Sequence, residues 1–428
     1  MQDRASRELA RQWDARDPLA RFRKLFARPP GQIYLDGGSL GLCSQDAERA
    51  VLRALGEWKA KANQSWSNPS GGWSKLSENL AARVAALVGA HPEEVAIANS
   101  STLNLHQLLA TVYRRQFHRP DILIDGFASG SDRAVLWSHL ELRGLDPERQ
   151  LLALPPEPDR LFDEARIEAA MAQPTLQLAI FPAVVWATGQ LLDLERICRA
   201  ARGHGVLVGL DLSDSLGVIP HALAAWDADF AFWGHDSFVN AGPGAVAGLY
   251  LNRRYFDSHR GLRAGLAGRP GRNGAEGGDL AQNSQRAGLA AALQLGPAPM
   301  LSLAPLDGAL RMVEEAGLER LRAKSLHLTQ FLRSAVESEM PGLHFITPRE
   351  AERRGAHLAL RHPAAREICA ALRANGVSAD FREPDIIALA PSPLYNSFTE
   401  CWDAVQILRR VVDLSATAAL AGAEELVS

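Results

Sequence analysis

The sequence predicts an α/β protein: a mostly parallel sheet covered by helices on both faces, followed by a smaller α+β C-terminal domain. Three observations carry this. Strand and helix patterns alternate from about residue 95 to 250, the signature of parallel strands joined by helical crossovers. Val206-Leu207-Val208-Gly209-Leu210-Asp211 is a continuous apolar run of buried-strand type ending in a carboxylate. The last 90 or so residues alternate again after a long helical stretch, as a second, smaller unit would.

In chain order, residues 4–28 read as an amphipathic helix with Pro29-Pro30 beyond it. Ile33-Tyr34-Leu35-Asp36 reads as a short strand before a Gly37-Gly38-Ser39 turn. Helical spacing covers 45–62 and 73–89, with a Ser/Asn/Pro/Gly loop at 64–72. Strands are expected at 95–98, 121–124, 176–181, 206–211, 230–233 and 245–250, and helices from about 103, at 132–143 and at 192–203. Residues 262–286 are Gly-rich and polar and read as a loop. A single long helix is expected over 303–336. Strands at 357–361 and 386–390 and helices at 364–374 and 398–415 complete the chain, with a tail that frays after about 414. The domain organisation expected is an N-terminal arm at 1–45, a large α/β domain at 46–300 and a small α+β domain at 301–428.

Composition narrows the function classes. The chain has 428 residues, 47% hydrophobic and 22% charged, and a net charge of −3. That balance gives no basic field for nucleic acid or an anionic membrane surface. The N-terminal stretch is charged from the start, and no run approaches membrane-span length, so a cytoplasmic protein without secretory leader or membrane anchor is expected. The four cysteines, Cys43, Cys198, Cys369 and Cys401, are far apart and read as reduced thiols rather than a disulfide frame or zinc site.

Several segments resemble the kynureninases, a family of pyridoxal phosphate (PLP) enzymes. Tyr34-Leu35-Asp36-Gly37-Gly38-Ser39-Leu40-Gly41 resembles the family's YLDGNSLG. Asn99 to His106, Thr188-Gly189-Gln190, Asp211 to Asp214 and Asn240 to Gly244 resemble its NSLTVNLH, TGQ, DLAH and NAGPG. Phe381-Arg382-Glu383-Pro384-Asp385 and the stretch Ala390 to Phe398 resemble FREPD and APVPLYNSF. The resemblance spans roughly residues 30–413. It implies a fold type I, class V aminotransferase-like fold with a seven-stranded, mostly parallel sheet. It also implies a homodimer with active sites at the subunit interface.

The departures gather in the active site. The family's cofactor-linking segment reads roughly WCSYKYLNAGPG, where the lysine forms a Schiff base with PLP. Here Trp233-Gly234-His235-Asp236-Ser237 puts Ser237 at the lysine and Asp236 at the preceding tyrosine, and a hydroxyl forms no imine. The family's FPSD or FPTD reads Ser129-Gly130-Ser131-Asp132, without the phenylalanine that stacks on the pyridine ring. The histidine of DLAH becomes Asp214. The arginine of IRVAP, which takes the substrate carboxylate, becomes Ala388. The GWWGH segment has no clear match, with Gly265-Leu266-Ala267-Gly268 in that region. The only lysines are Lys24, Lys59, Lys61, Lys75 and Lys324. Lys59, Lys61 and Lys324 read as solvated, and Lys75 is kept as a candidate for a displaced cofactor lysine.

These changes point to a pocket of Asp132, Asp211, Asp214 and Asp236 with His235, from which arginine and lysine have gone. Such a pocket suits a cationic ligand. Asp211, Asp214 and His235 also offer oxygen and nitrogen ligands to a divalent ion, but a hydrogen-bonded cluster is the expectation and no metal site is assigned. His235, Asp236, Ser237 and Asp211 are the expected catalytic set. Asp132, Asp214, Trp186, Trp233, Asn240, Ser101, Thr102 and Asn104 are expected to line the pocket, with the tryptophans as aromatic walls. The losses on the ring face and at the phosphate argue for a site with no resident cofactor. On this reading the chain is a diverged kynureninase-like hydrolase or lyase without PLP chemistry, acting on a small aromatic or amine-bearing metabolite in a specialised biosynthetic pathway. One alternative keeps PLP or pyridoxamine phosphate (PMP) non-covalently, with Asp211, Ser101 and Thr102 as its contacts. Another is an inactive homologue that binds a metabolite or partner.

Overall fold

The computed structural model describes residues 5–67, 72–114, 116, 118–256 and 290–425. The Gly-rich stretch at 262–286 and the segment Gly265 to Gly268 lie outside them. A seven-stranded sheet forms the centre of the large domain. Its spatial order is Val95–Ile97, Gly248–Leu251, Phe230–Trp233, Leu207–Asp211, Leu176–Pro182, Asp121–Asp125, Leu151–Leu154. Gly248–Leu251 runs antiparallel to both of its neighbours, and the pairings from Phe230–Trp233 to Leu151–Leu154 are all parallel. Asp211 is registered with Pro182 on one side and Phe232 on the other. It therefore stands at the carboxyl end of a central strand, where open α/β sheets place their sites.

Several short elements were not expected from the sequence, among them one strand and one helix of the large domain. Edge strand Leu151–Leu154 is only partly buried, so it lacks the continuous apolar run that marks its neighbours. Helix Glu164–Met171 buries only Ile167 and Met171 and gives too few turns for a clear period. The expected single helix over 303–336 is two, Met300–Ala316 and Leu318–Glu339. They are separated by Gly317 at φ +81°, a left-handed value that glycine supplies without steric cost. The first of these lies against helix Gln45–Lys61 so closely that a Cβ on Gly308 would sit 2.2 Å from the Asp46 carbonyl.

The small domain holds an antiparallel sheet ordered His344–Phe345, Leu358–Arg361, Ile386–Leu389, Asp380–Arg382. Ile33–Tyr34 pairs in parallel with Val377–Ser378, tying the N-terminal segment to this domain. The last helix, Phe398–Glu425, continues past the point where fraying was expected. Two hydrophobic cores change over between Leu321 and Leu328, later than the 300/301 boundary expected from the sequence. The N-terminal segment contributes to both: Ala5 and Ala10 to the small core, Leu19, Phe22 and Phe26 to the large one. The domains are stitched by Thr347, whose hydroxyl donates to the Thr188 carbonyl and accepts from the Ala359 N–H at 2.7 Å.

Candidate functional site

The chain leaves strand Phe230–Trp233 through the turn 234–240, and this turn decides where the expected residues point. Trp233 is fully buried in the large core, among residues such as Leu210 and Ala231, and is not a pocket wall. Its indole N–H donates to His235 Nε2 at 3.0 Å, while His235 Nδ1 donates to the Val246 carbonyl at 2.6 Å. Both ring nitrogens are thus engaged inside the protein. Burial pushes the His235 pKa down to about 4. The expected acid–base role is corrected: His235 is a neutral core histidine that holds the turn.

Ser237 Oγ donates to the Ser213 carbonyl at 3.1 Å, bridging the turn to the loop that carries Asp211 and Asp214. Asn240 adopts a left-handed φ of 64°, and its side-chain amide donates to the Phe238 carbonyl at 2.6 Å. Gly41 packs against this turn: a Cβ there would lie 2.4 Å from both Asn240 Oδ1 and the Ser237 carbonyl.

The aspartates do converge. Asp211 Oδ1 accepts from the Ser213 N–H at 2.9 Å and from its hydroxyl at 2.6 Å. Desolvation, then the neighbouring charge of Asp132 and more weakly that of Asp214, push Asp211 up to about 8. The charges that act on Asp211 are those of Asp132 and Asp214, and among the described residues no salt bridge pairs it with a cation. Asp214 is pushed up to about 6 by desolvation, held back by Arg382 and raised further by Asp380 and Asp236. Desolvation also raises Asp132.

Arg382 corrects the expectation that arginine had left the pocket. It is buried, pairs with Asp380 at 2.8 Å, and its guanidinium lies 5.4 Å from the Trp186 ring centre. It also lies 3.0 Å from His357 Nε2, and burial, then Arg382, push the His357 pKa well down. Trp186 keeps partial exposure and anchors its indole N–H on the Phe127 carbonyl. Sequence pattern held a signal for Arg382: in strand Asp380–Arg382 it shares a face with Asp380 and opposes Phe381.

The N-terminus of helix Ser101–Val112 follows strand Val95–Ile97 of the same sheet. Ser100 caps it by accepting from the Leu103 N–H at 3.3 Å. That leaves the N–H groups of Ser101 and Thr102, partly exposed, without an intrahelical acceptor. Asn104 is not a pocket group: fully buried, it donates to the Ala98 carbonyl at 2.9 Å and accepts from Asn99 at 3.0 Å. Asn99 itself sits at φ 53°, so this pair shapes the strand-to-helix corner.

Lys24, Lys59, Lys61 and Lys75 are exposed. Lys324, expected to be solvated, is buried and ion-paired to Asp17 at 2.7 Å. None of the five is among the charges that act on Asp211 or Asp214. Ala388 is buried in the small sheet opposite Ala359 and Asp380. Among the described residues no group of three His, Cys, Asp or Glu side chains is arranged to hold a metal ion. No described helix is long and apolar enough to cross a membrane.

Do these residues fit a phosphorylated pyridine cofactor? An uncompensated carboxylate at a strand end suits a protonated ring nitrogen. Free N–H groups at a helix start suit a phosphate. The two features are the two polar ends of such a molecule, and the donor set fits.

Residues 321–408 match the kynureninase C-terminal domain model. The chain is 41% identical over 407 residues to the kynureninase of Geobacillus thermodenitrificans, covering 95% of this chain and 94% of that one. It is 42% identical over 409 residues to the kynureninase of Shouchella clausii, with the same coverage. Among solved structures, an apo cysteine desulfurase from Thermococcus onnurineus superposes with a TM-score of 0.75 at 16% identity, covering 92% of this chain and 98% of that one. A mutant of C-DES with glycine covalently linked to its PLP cofactor gives 0.76 at 18%, covering 90% and 98%. These likenesses show the fold type I architecture. They also overturn the expectation of a site without a cofactor: the kynureninase relatives and the PLP-bearing neighbour point to PLP.

Proposed function

The chain belongs to the kynureninase family, and on that premise we propose that it is a kynureninase-type enzyme that holds PLP or PMP without a lysine link. It acts on a small aromatic or amine-bearing metabolite, as a cytoplasmic homodimer. The observation that carries this reading is the buried Asp211 carboxyl, at the carboxyl end of a central strand, held by Ser213 and raised to about 8 by desolvation and then by Asp132. When bound, the cofactor supplies an electron sink for bonds next to an amine-bearing carbon.

The chain's own residues do the rest. Asp211 keeps the ring nitrogen protonated, and Ser213 fixes the orientation of Asp211. Ser101 and Thr102 receive the phosphate at the helix N-terminus. Trp186, backed by Arg382, walls the cleft. Asp214, with a pKa near 6, is placed to accept and return a proton around neutral pH. Ser237 takes the place of the cofactor-linking lysine and ties the turn to Ser213 instead. The substitution of Ala388 for the family's arginine supports a substrate that does not depend on a carboxylate clamp at that point.

The test is reduction with borohydride after loading with PLP. We expect a cofactor absorption band that exhaustive dialysis removes, and no cofactor mass fixed on the wild-type chain by borohydride. Ser237→Lys should fix one cofactor per chain at residue 237. Cofactor mass fixed on the wild-type chain would overturn the non-covalent reading, and failure to take up PLP or PMP at all would overturn the cofactor assignment. Cofactor uptake without turnover of any aromatic amine or amino acid would leave a binding protein instead.

A further inference from the structure

A cavity of about 350 Å³ lies between the N-terminal segment and the helices Leu318–Glu339 and Phe398–Glu425. It shares no residue with the site above. Its volume is within the range of small-molecule sites. Three rings wall it. Trp13 meets Phe398 edge-on, with ring centres 5.0 Å apart, and lies 6.0 Å from the His327 ring. Lys324 and Asp17, buried and 2.7 Å apart, face it from inside. Arg16 and Arg320 complete the charged lining.

The charges do not cancel. Arg16, Arg320 and Lys324 bring three basic side chains against the single lining carboxylate of Asp17. Arg320 donates only to neutral acceptors, the Ala316 and Glu315 carbonyls. Among the described residues, no carboxylate forms a salt bridge with Arg16 or Arg320. Asp14, which is not part of the lining and accepts from the Phe398 and Thr399 N–H groups, also acts on Lys324, more weakly than Asp17. An aromatic-walled hole with excess positive charge complements a flat apolar molecule carrying one negative charge. Arg16 and Arg320 are exposed members of the lining, where an anion would meet two cations that no described carboxylate pairs. The ring walls would contribute stacking and area burial to the same ligand.

We propose that this cavity is a second ligand site, selective for a monocyclic aromatic carboxylate. The ring lies among Trp13, His327 and Phe398, and the carboxylate is directed to Lys324 and Arg16.

Benzoate is the probe, followed by isothermal titration calorimetry and by saturation-transfer NMR on the full chain. Benzyl alcohol, the same ring without the charge, is the control. Two variants keep the test independent of the buried ion pair. Ala323→Phe fills the cavity from an exposed helix position, and Arg16→Glu reverses a charge at an exposed one. We expect benzoate to bind the wild-type protein, to lose binding in Ala323→Phe and to weaken about tenfold or more in Arg16→Glu. Benzyl alcohol should bind at least about tenfold more weakly than benzoate. PLP uptake should be the same in both variants, showing an intact fold and main site. No benzoate binding at millimolar concentration, equal binding in wild type and both variants, or equal binding of benzyl alcohol would each overturn the proposal.

Discussion

His235 spends both ring nitrogens inside the protein, so its removal is an experiment on stability. Truncating it to alanine leaves a cavity, an unpaired Val246 carbonyl and an unpaired Trp233 N–H. His235→Ala should cost about 2–4 kcal/mol in denaturant unfolding, with cofactor affinity nearly unchanged in the folded fraction. Asp211 behaves the other way. Its pKa is raised by folding to about 8, so the native state holds the proton more tightly than the unfolded chain does. The stability this gives is present in acid and is lost as pH rises through 8. His235 and His221, pushed by burial down to about 4 and about 3, have the opposite sign, and their effect is complete above the ordinary value of 6.5. From 6.5 to 8, therefore, the cofactor-free protein should lose stability as Asp211 ionises. Asp211→Asn should flatten that slope, and bound cofactor should flatten it too by pairing the carboxylate. Melting temperature against pH for the three samples checks this; a slope unchanged in Asp211→Asn would refute the assignment.

At the level of elements, the turn 234–240 works only because the loop carrying Gly41 lies flat against it. Gly41→Ala drives a Cβ into Asn240 and the Ser237 carbonyl, and the backbone on either side must move. The expected cost is about 1–3 kcal/mol by overpacking, with weakened PLP uptake because the Ser237–Ser213 bridge shifts. Unfolding midpoints and cofactor titration report the two effects separately. The same turn shows what could be seen in the sequence. Trp233, His235, Asp236 and Ser237 could be placed at a strand end by the apolar run before them. Which way each side chain points depends on backbone dihedrals in an irregular segment, and neither a period of two nor one of 3.6 applies there. The break at Gly317 was concealed for a related reason. Apolar spacing continues on both sides of it, and one glycine within a helical pattern is compatible with a continuous helix.

Across the whole molecule, the two domains meet through small apolar clusters, such as Val184 with Ala356 and Ala390, and through polar links such as Thr347. Thr347→Val removes a hydroxyl that serves the Thr188 carbonyl and the Ala359 N–H at once, leaving both buried groups unpaired. It should lower stability by about 2–4 kcal/mol, read by chemical unfolding, although no residue of the cleft is touched. The architecture was legible because long apolar strands and amphipathic helices repeat their pattern many times. Edge strand Leu151–Leu154 was not, being short and half-exposed. The acidic character expected of the cleft rested on setting Asp132, Asp214 and Asp236 against the motifs of the family the chain resembles. Arg382 was not legible there, because it comes from the small domain and acts on Asp214 only once the two domains are assembled.

The hydroxyl of Ser237, tied to Ser213, has a consequence in time and supply. On the proposed non-covalent reading, the cofactor behaves as a second substrate. The working fraction of the enzyme then follows the free cofactor concentration relative to its dissociation constant, and bound cofactor adds stability by the same mass action. Such a protein would be dormant when its vitamin-derived partner is scarce and would recover as the pool refills, with no change in its own abundance.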